Sequence, residues 1–330
     1  MSERLAAMGF EVSVIVPAYH AANTIERALR SVVGQSLAPM EVVVVDDGST
    51  DATLDAAEAC RDLLAPIDLK VIRQENAGAG AARNRAIENA SGKYLAFLDA
   101  DDDWLSEHLE KSLRRLDEDG LTLCAHNEWL VTEGVESLND SARRIAERPD
   151  PVVSVYRKGC ISTSTVVTHR AAVLAAGGFD PALTNGQDVD LWLAIISRPG
   201  ATFTVFEEPL SRYYRRPGSI DTHIARRFRF FLQIARRWSG EIAGRRHGGL
   251  SALWFRMAAI HYAALRGLLA ARQVGPALII CLRLPLNIAD VTIRRFAAPL
   301  YERPNFLVNP EADQVSTPGI SNQQELTPPK

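Results

Sequence analysis

The feature of this sequence that most constrains its fold is the alternation of short apolar runs with helical segments over residues 12–98. The runs are almost uniformly apolar and rich in β-branched residues, as expected for strands covered on both faces: VSVIVP (12–17), EVVVV (41–45), LKVIR (69–73) and KYLAFL (93–98). Segments with the helical spacing of apolar residues separate them. The alternation predicts an α/β fold with a Rossmann-like, mostly parallel sheet flanked by helices.

The remainder of the chain is less regular. Further strands are predicted at 121–132, 161–168 and 202–206, and helices at 169–176 and 187–197. Residues 133–158 are polar and contain the breaker Arg148-Pro149-Asp150-Pro151, so we predict a long loop there, with room for a short helix. From about residue 222 the pattern becomes helical and rich in Arg, and the helix at 276–298 is expected to break at Pro285.

Composition excludes several classes of protein. The net charge of −3 argues against a chain that binds polyanions with its whole surface. The four cysteines are widely spaced without a CxxC pair, which argues against a zinc site or a disulfide framework and favours a reducing compartment. The stretch MSERLAAMGFEV lacks the apolar region of a signal peptide, and no run of about 18 apolar residues predicts a spanning helix. We therefore expect a cytoplasmic protein.

Two acidic clusters follow predicted strands. Asp46-Asp47 follows the second strand, and four aspartates within LDADDDW (98–104) follow the fourth. Because ligands bind at the carboxyl ends of the strands in open parallel sheets, both clusters and the turn Pro17-Ala18-Tyr19 should lie on one rim. One cluster alone could be a solvated loop end or a helix cap, whereas two on one rim favour a binding site.

Three interpretations of LDADDDW fit poorly. A calcium loop would need Gly where Trp104 stands, although Asp99, Asp101, Asp103 and Glu110 have suitable spacing. An aspartyl phosphatase motif would lie after the first strand and would not have Asp103 at its Thr or Val position. A dinucleotide fingerprint would also follow the first strand, and the nearest candidate, Gly78-Ala79-Gly80-Ala81-Ala82-Arg83, has Arg in place of the third Gly.

A fourth interpretation is a DxD motif that holds a divalent metal on a nucleotide diphosphate. Mg²⁺ and Mn²⁺ prefer oxygen ligands, usually one or two carboxylates completed by phosphate oxygens and water. Repulsion among the aspartates would then be compensated by the ion and by neighbouring basic groups.

With these motifs the sequence resembles the family 2 inverting glycosyltransferases, which have the GT-A fold. The resemblance covers roughly residues 11–220 and rests on six motifs in order: VSVIVPAY (12–19), VVVVDDGSTD (42–51), ENAGAGAARN (75–84), FLDADDDW (97–104), GGFD (177–180) and QDVDLWL (187–193). Each motif is weak alone, but six in the same order and spacing are specific.

The resemblance implies roles for individual residues. In the donor site, Tyr19 would lie beside the nucleotide base with Pro17 in the same turn, Asp47 would accept a hydrogen bond from the base, Asp99 would lie near the ribose, and Arg83 would line the pocket. Asp101 would ligate the metal, Mn²⁺ or Mg²⁺. Asp188 would be the catalytic base, although an acid in the first turn of a helix can also be purely structural, the role we assign to Asp190.

Two departures from the family pattern matter. Gln187 stands where the family often has Glu, so Asp188 has one less charged neighbour to raise its pKa. Arg216 stands where the family often has His after the last core strand. Arg cannot ligate a metal but can clamp a diphosphate, so Arg216 is expected to contact the leaving group, unless it is a surface residue. The QxxRW pattern of processive synthases is absent, which favours transfer of one sugar per encounter.

The resemblance implies a domain division. Residues 1–220 would form the catalytic domain, with nucleotide-sugar binding in 11–104 and the acceptor and catalytic part in 105–220. An Arg-rich helical extension would occupy 221–302, and 303–330 would be a disordered tail. Residues 212–246 carry ten Arg against two acids, which suits peripheral contact with an anionic membrane leaflet. Packing on the catalytic domain or in a homodimer is the alternative, and no nucleic-acid-binding module is recognisable.

The function that follows is a metal-dependent inverting glycosyltransferase of the hexosyltransferase type. It would move a sugar from a nucleotide-sugar donor, with UDP expected, to a glycan or lipid-linked acceptor in cell-envelope or exopolysaccharide biosynthesis. The alternative is a non-catalytic nucleotide-sugar-binding regulator or scaffold. A sugar nucleotidyltransferase would need a Gly-rich basic loop after the first strand, where PAYHAANT stands instead.

Overall fold

The computed structural model describes residues 10–215, 224–297 and 302–307. Its strands are β1 (Val12–Ala18), β2 (Glu41–Asp46), β3 (Asp68–Arg73), β4 (Tyr94–Phe97), β5 (Asp103–Trp104), β6 (Leu123–Thr132), β7 (Val135–Asn139), β8 (Val167–His169) and β9 (Phe203–Tyr214). Its helices are α1 (Ile25–Val33), α2 (Thr53–Glu58), α3 (Arg61–Leu64), α4 (Ala79–Glu88), α5 (His108–Glu118), α6 (Ser141–Ala146), α7 (Pro151–Lys158), α8 (Arg170–Ala175), α9 (Gln187–Ile196), α10 (Ile224–Arg237), α11 (Ser239–Gly244), α12 (Gly249–Ala270) and α13 (Val274–Ala297).

The strands of the described residues form one mixed sheet with the order β3-β2-β1-β4-β8-β6-β9-β5, and β7 pairs with β6. The first four strands in this order are parallel to one another. Beyond them, β8 runs antiparallel to both β4 and β6, and β9 runs parallel to β6. Since β6 and β9 thus share the direction of β1, the predicted mostly parallel α/β sheet is confirmed.

Both faces of the parallel half are buried. On β1, Val12, Val14 and Val16 belong to one apolar layer, which includes Leu29 of α1. Ile15 points to the other layer, which includes Trp192 of α9. Because successive side chains of a strand point to opposite faces, a strand covered on both sides must be apolar throughout, and this explains why the first runs show no alternation.

The C-terminal helices belong to the second of these layers. Phe228 of α10, Met257 of α12 and Val291 of α13 join the apolar cluster that contains Ile15 and Trp192. The inner faces of the extension therefore pack on the catalytic part of the chain, as the alternative to membrane contact predicted. The change at residue 220 is a change in composition and not a gap between two separate cores.

The segment 133–158 is not the loop predicted from its polarity. It contains β7, α6 and α7. The Asp150 carboxylate accepts hydrogen bonds from the backbone of Val152 and Val153, and Pro151 occupies the first helical turn. The supposed breaker is thus a helix start, in which Asp caps the free N–H groups and Pro fits because its missing N–H has no partner to lose.

The prediction that the last helix breaks at Pro285 is wrong. α13 runs unbroken through Pro285; Pro285 lies on its exposed side, and only the bond to the Cys281 carbonyl is forgone. Val274–Phe296 is also long and apolar enough to cross a membrane by length and composition alone. A search for an uninterrupted apolar run misses it because Arg283 and Asp290 divide it.

The segment 302–307 lies against the catalytic part of the chain, although the sequence places residues from 303 onward in a disordered tail. Phe306 N donates to Gly177 O at 2.8 Å, and Arg303 Nε donates to Asp190 at 3.0 Å. The composition gave a wrong prediction because this segment is held by backbone and charged contacts to other elements, together with Leu307, which packs against the apolar core. Residues 308–330 lie outside the described residues.

Candidate active site

The predicted rim exists in the structure. Tyr19 follows β1, Asp47 follows β2 and Asp99 lies just beyond β4. Asp47 N donates to Ala18 O at 2.8 Å, which joins the ends of the first two strands. Pro17 is paired with Val45 in the sheet. The Tyr19 ring is 51% exposed and stacks with His20 at 4.1 Å between centroids, so an apolar surface is open to a ligand at the tip of β1.

Asp47 organises the loop between β3 and α4. Its carboxylate accepts from Gln74 Nε2 at 2.7 Å, from Ala77 N at 2.9 Å and from Gly78 N at 2.8 Å. Gly78 begins α4 with φ of +90°, a conformation that favours glycine. The side chain predicted to meet the base is therefore buried, and it holds the start of α4 at the rim. Its bond to a base stays a prediction.

Arg83 joins the rim to α9. Its guanidinium is buried, and Nη2 donates to Asp99 Oδ1 at 2.5 Å. With the Gln187 amide turned so that its nitrogen donates to Leu183 O, the Gln187 oxygen accepts from Arg83 Nη1 at 3.1 Å. Neutral Gln187 thus takes the second side of Arg83 where a Glu would form an ion pair. Arg83 and Asp99, predicted from distant motifs, are brought together.

The four aspartates of the DADDD stretch have different surroundings. Asp99 pairs with Arg83, and Asp101 is partly exposed. Asp102 is buried and accepts from Ser164 Oγ at 2.6 Å and from Tyr214 N at 3.2 Å. Asp103 accepts from Tyr214 OH at 2.7 Å and pairs with Arg212 at 3.3 Å. The last two acids therefore bind the stretch to β9, whereas Asp99 and Asp101 are partly exposed.

Burial raises the pKa of the Asp102 carboxyl well above its usual value, and repulsion by Asp101 and Asp99 adds to the effect. The hydrogen bond from Ser164 acts in the opposite direction but is outweighed. The Asp102 carboxyl is therefore pushed towards its neutral form, and a cation bound nearby would act in the opposite direction.

Arg27 of α1 clamps the turn that carries Asp101. Its guanidinium donates to the Asp101 carbonyl oxygen and pairs with Asp103 at 3.3 Å. It also lies over the Tyr214 ring, 3.7 Å from the centroid. No sequence motif marks Arg27, because it is a single Arg on an amphipathic helix. Only the docking of α1 brings it to the turn.

Asp188 lies in the first turn of α9 and is partly exposed. Gly186 caps this helix with φ of +75°, and a Cβ there would come within 2.9 Å of Ile234 on α10, so a larger residue would displace the helix start. Asp190, predicted to be structural, is buried and bonded to Arg237, Trp238 Nε1 and Arg303. The two acids of QDVD thus differ in exposure. Arg216 lies outside the described residues.

The donor set suits a hard divalent cation shared with a diphosphate. In the described part of the chain, no group of three His, Cys, Asp or Glu side chains forms a closed cage for a metal. One or two carboxylates completed by phosphate oxygens and water are what Mg²⁺ or Mn²⁺ uses with nucleotides. Asp101, a partly exposed carboxylate after β4, is the candidate ligand for such an ion.

Solved structures of other proteins share the fold of this chain, and two of them are described here. The S. aureus TarS structure in complex with UDP-GlcNAc superposes with a TM-score of 0.61 at 23% identity, over 77% of this chain and 73% of that one. A Pyrobaculum calidifontis mannosyltransferase in complex with GDP-mannose and Mn²⁺ gives 0.59 at 18%, over 87% of each chain. The class is thus a GT-A-type α/β fold.

The sequence comparisons are more specific. The model for "Glycosyl transferase family 2" matches residues 13–147. TuaG of Bacillus subtilis, named for teichuronic acid biosynthesis, is 32% identical over 64% of this chain and 82% of its own length. AmsB of Erwinia amylovora, an amylovoran biosynthesis glycosyltransferase, is 31% identical over 61% and 69%. The chain belongs to glycosyl transferase family 2, as the motifs indicated.

Proposed function

We propose that the protein is a metal-dependent inverting glycosyltransferase that moves a sugar from a UDP-linked donor to a glycan or lipid-linked acceptor. One observation carries this proposal. Asp47, Asp99 and Asp101 follow the ends of β2 and β4, and α4 brings Arg83 to Asp99. The Arg83–Gln187 contact connects these residues to the helix turn of Asp188. The candidate donor residues and the candidate base are thus linked by a short chain of contacts.

The metal, bound by Asp101 and the donor phosphates, would neutralise the negative charge that develops on the leaving diphosphate. Arg27 holds the backbone of the Asp101 turn, so the carboxylate is presented by a fixed loop. Arg216, predicted to contact the diphosphate, would add a second positive charge to the leaving group. Arg83 is held between Asp99 and Gln187 and lines the ribose side.

Asp188 would act as the base. Its carboxylate takes the proton from the acceptor hydroxyl while that oxygen attacks the anomeric carbon. The C–O bond to the diphosphate breaks on the opposite face, so the anomeric configuration inverts. Gln187 does not ionise, so Asp188 works without a second carboxylate directly beside it in sequence.

The relatives support a role in cell-envelope or exopolysaccharide biosynthesis, since TuaG and AmsB are named for such polymers. Of the two structures compared above, one holds a UDP-sugar and the other a GDP-sugar, so both nucleotides belong in the test. We also propose that the enzyme works at the inner face of the membrane, where a lipid-linked acceptor would lie, and a homodimer is the alternative use of its C-terminal helices.

The test is thermal stabilisation of the purified full chain by UDP, GDP and their sugars, each with Mn²⁺ or with EDTA. A ligand at 100 times its Kd adds about 2.7 kcal/mol to the free energy of unfolding. We expect a metal-dependent shift with the UDP compounds, lost in Asp101→Ala and kept in Asp119→Ala, an exposed carboxylate at the end of α5. No shift with any nucleotide would refute the donor site.

Turnover decides between the enzyme and the regulator. Release of UDP from a UDP-sugar in the presence of a panel of lipid-linked and oligosaccharide acceptors should depend on Mn²⁺. Donor binding without release, across the whole panel, would favour the non-catalytic nucleotide-sugar-binding regulator instead.

A further inference from the structure

Helix α13 presents an apolar stripe to solvent along its whole length. Leu278, Leu282, Leu286, Ile293 and Phe296 are 60–78% exposed. Their spacing of three to four residues, or a multiple of it, places them on one face of the helix. Within the described residues of α13, the charged side chains lie off this face: Arg283, Asp290, Arg294 and Arg295. A continuous uncharged face of this length on a single helix needs a partner.

Helix α12 extends the apolar surface. Its exposed large apolar side chains are Trp254, Tyr262 and Leu269. Trp254 Nε1 donates to Thr292 Oγ1 at 3.0 Å, and Asn287 Nδ2 lies 3.0 Å from His261 Nε2. The earlier residue of α12 is paired with the later residue of α13, so the two helices form an antiparallel hairpin. Trp and Tyr beside aliphatic residues are typical of surfaces that sit at a membrane interface.

The inner face of α13 is tied to the rest of the protein by polar contacts. Arg236 of α10 pairs with Asp290 at 2.6 Å and donates to Asn287 Oδ1 at 2.8 Å. α12 and α10 pack in turn into the core of the catalytic part. Crossing a bilayer would pull Asn287 and Asp290 away from these partners into hydrocarbon, where unpaired polar groups are very costly. The helix as folded can lie on a bilayer but cannot span it.

The charge around the hairpin indicates which surface it fits. Residues 224–297 contain thirteen Arg, no Lys and two acids, in a chain whose net charge is −3. In the described hairpin, every exposed charged side chain is an arginine: Arg266, Arg272, Arg283 and Arg294. Arg283 and Arg294 lie eleven residues apart, three helical turns, and so border the stripe on the same side. A second copy would add arginines to arginines, whereas anionic headgroups neutralise them.

We propose that the α12–α13 hairpin docks flat on an anionic lipid surface, with the stripe of α13 inserted at the boundary between headgroups and acyl chains. This inference rests on the proposed function only in assigning a purpose to the contact, which would be delivery of the enzyme to a lipid-linked acceptor. α10, which supports the hairpin, packs Ile234 against Gly186 at the start of the helix that carries Asp188. The hairpin is therefore connected through α10 to the helix that carries Asp188.

The first experiment is co-sedimentation of the full chain with vesicles of phosphatidylcholine alone or with phosphatidylglycerol, without donor or acceptor. We expect binding to the anionic vesicles only, weakened by salt, and at least about tenfold weaker for Leu282→Glu/Leu286→Glu. Val135→Glu is the matched control, since Val135 on β7 is 69% exposed and belongs to the catalytic part. Equal binding of the stripe variant and the wild type would overturn the proposal.

Sedimentation velocity and donor-induced thermal stabilisation separate membrane docking from a subunit interface and from a defect in the donor site. If the stripe variant turns a dimer into a monomer in sedimentation velocity while its vesicle binding is unchanged, the stripe is a subunit interface and the proposal is wrong. Donor-induced thermal stabilisation should be the same in the variant and the wild type. A failure of the donor site and a failure of membrane docking are therefore seen in different measurements.

Orientation can be tested with cysteine labels. All four cysteines lie in the described part of the chain, and Cys281 alone among them is exposed. In a Cys281→Ser background, an environment-sensitive fluorophore is placed in turn at Leu278→Cys, Leu286→Cys and Phe296→Cys. A flat helix predicts similar quenching of all three by lipids brominated near the headgroup. A spanning helix would instead be shown if lipids brominated deep in the acyl chains quenched the label at position 286 but not the labels at 278 and 296. That result would overturn the flat arrangement.

Discussion

Asp102 and Asp103 are structural residues even though they stand in the same acidic run as the predicted metal ligand. Asp102 is buried between Ser164 and the backbone of Tyr214, and Asp103 is held by Arg27, Arg212 and the Tyr214 hydroxyl. Asp99 and Asp101 are the two that are partly exposed. Four adjacent carboxylates are tolerated because each has a different set of partners, and one of them is pushed towards its neutral form.

Asp102→Asn tests the buried acid. Because burial raises the pKa of Asp102, the native state keeps a proton that the unfolded chain releases above about pH 4. Its contribution to the free energy of unfolding is therefore largest at low pH and declines as the pH rises through the raised pKa. Without donor or metal, we expect the stability of the variant relative to wild type to increase from pH 4 to pH 8, measured by urea unfolding.

The control for this prediction is Asp119→Asn, which changes an exposed carboxylate in the same way. If the difference between Asp102→Asn and wild type does not change with pH, Asp102 is ionised in the folded protein. A cation already bound in the purified protein would keep the carboxylate charged in this way.

Asp188→Asn tests the base. The amide keeps the size of the side chain but cannot accept a proton, so transfer should fall by about 10²-fold or more. Donor-induced thermal stabilisation should be unchanged, because Asp188 is not in the donor set. Initial rates of UDP release with a saturating acceptor measure the first effect. A variant that transfers sugar at the wild-type rate would remove Asp188 from the mechanism.

At the scale of elements, α9 is fastened to the C-terminal part of the chain by one buried carboxylate. Asp190 is bonded to Arg237 and Trp238 at the end of α10 and to Arg303 in the segment that follows α13. Arg237 also pairs with Asp180 of the GGFD motif at 2.9 Å. The helix that carries Asp188 is therefore positioned by residues more than 40 positions away in sequence.

Arg303→Met tests this fastening. It leaves the buried Asp190 carboxylate with two donors instead of three, so we expect a loss of about 1–3 kcal/mol in the free energy of unfolding. Arg114→Met, which removes an exposed ion pair with Glu118 on α5, should cost less than about 0.5 kcal/mol. Urea unfolding of both variants measures the difference. Equal, small losses would show that residues 302–307 add nothing to the fold.

At the scale of the whole molecule, the catalytic part and the extension share one apolar core. Ile15 in β1, Trp192 in α9 and Met257 in α12 belong to the same cluster. A chain cut after residue 220 would expose the faces of α7 and α9 that α10 and α12 cover. The Arg-rich helices are thus part of the folding unit, although their composition differs from that of the sheet domain.

We therefore expect the full chain to unfold in a single transition, with the same urea midpoint by far-ultraviolet circular dichroism and by Trp fluorescence. A truncated chain of residues 1–220 should be largely insoluble or lack a cooperative transition. Two separated transitions in the full chain, or a soluble and cooperative 1–220 fragment, would show that the extension is an independent domain.

The sequence by itself determined the α/β fold, the order of the first strands and helices, the family, and the rim on which the candidate residues meet. These follow from local signals, since a run such as VVVVDD at 42–47 shows both a buried strand and the acid at its end. The same local signals failed at Asp150-Pro151 and at Pro285. Proline usually breaks a helix, but Pro151 lies in the first turn of α7, which Asp150 caps, and Pro285 lies within α13.

Only the tertiary structure decided which acid of each cluster is buried, that Arg27 clamps the Asp101 turn, and that residues 302–307 hold the catalytic helix. It also decided which face of α13 is left to solvent. The physical reason is that burial and pairing depend on which elements are neighbours in space. A carboxylate such as Asp190 carries no mark in the sequence of the arginines, Arg237 and Arg303, that the fold brings to it.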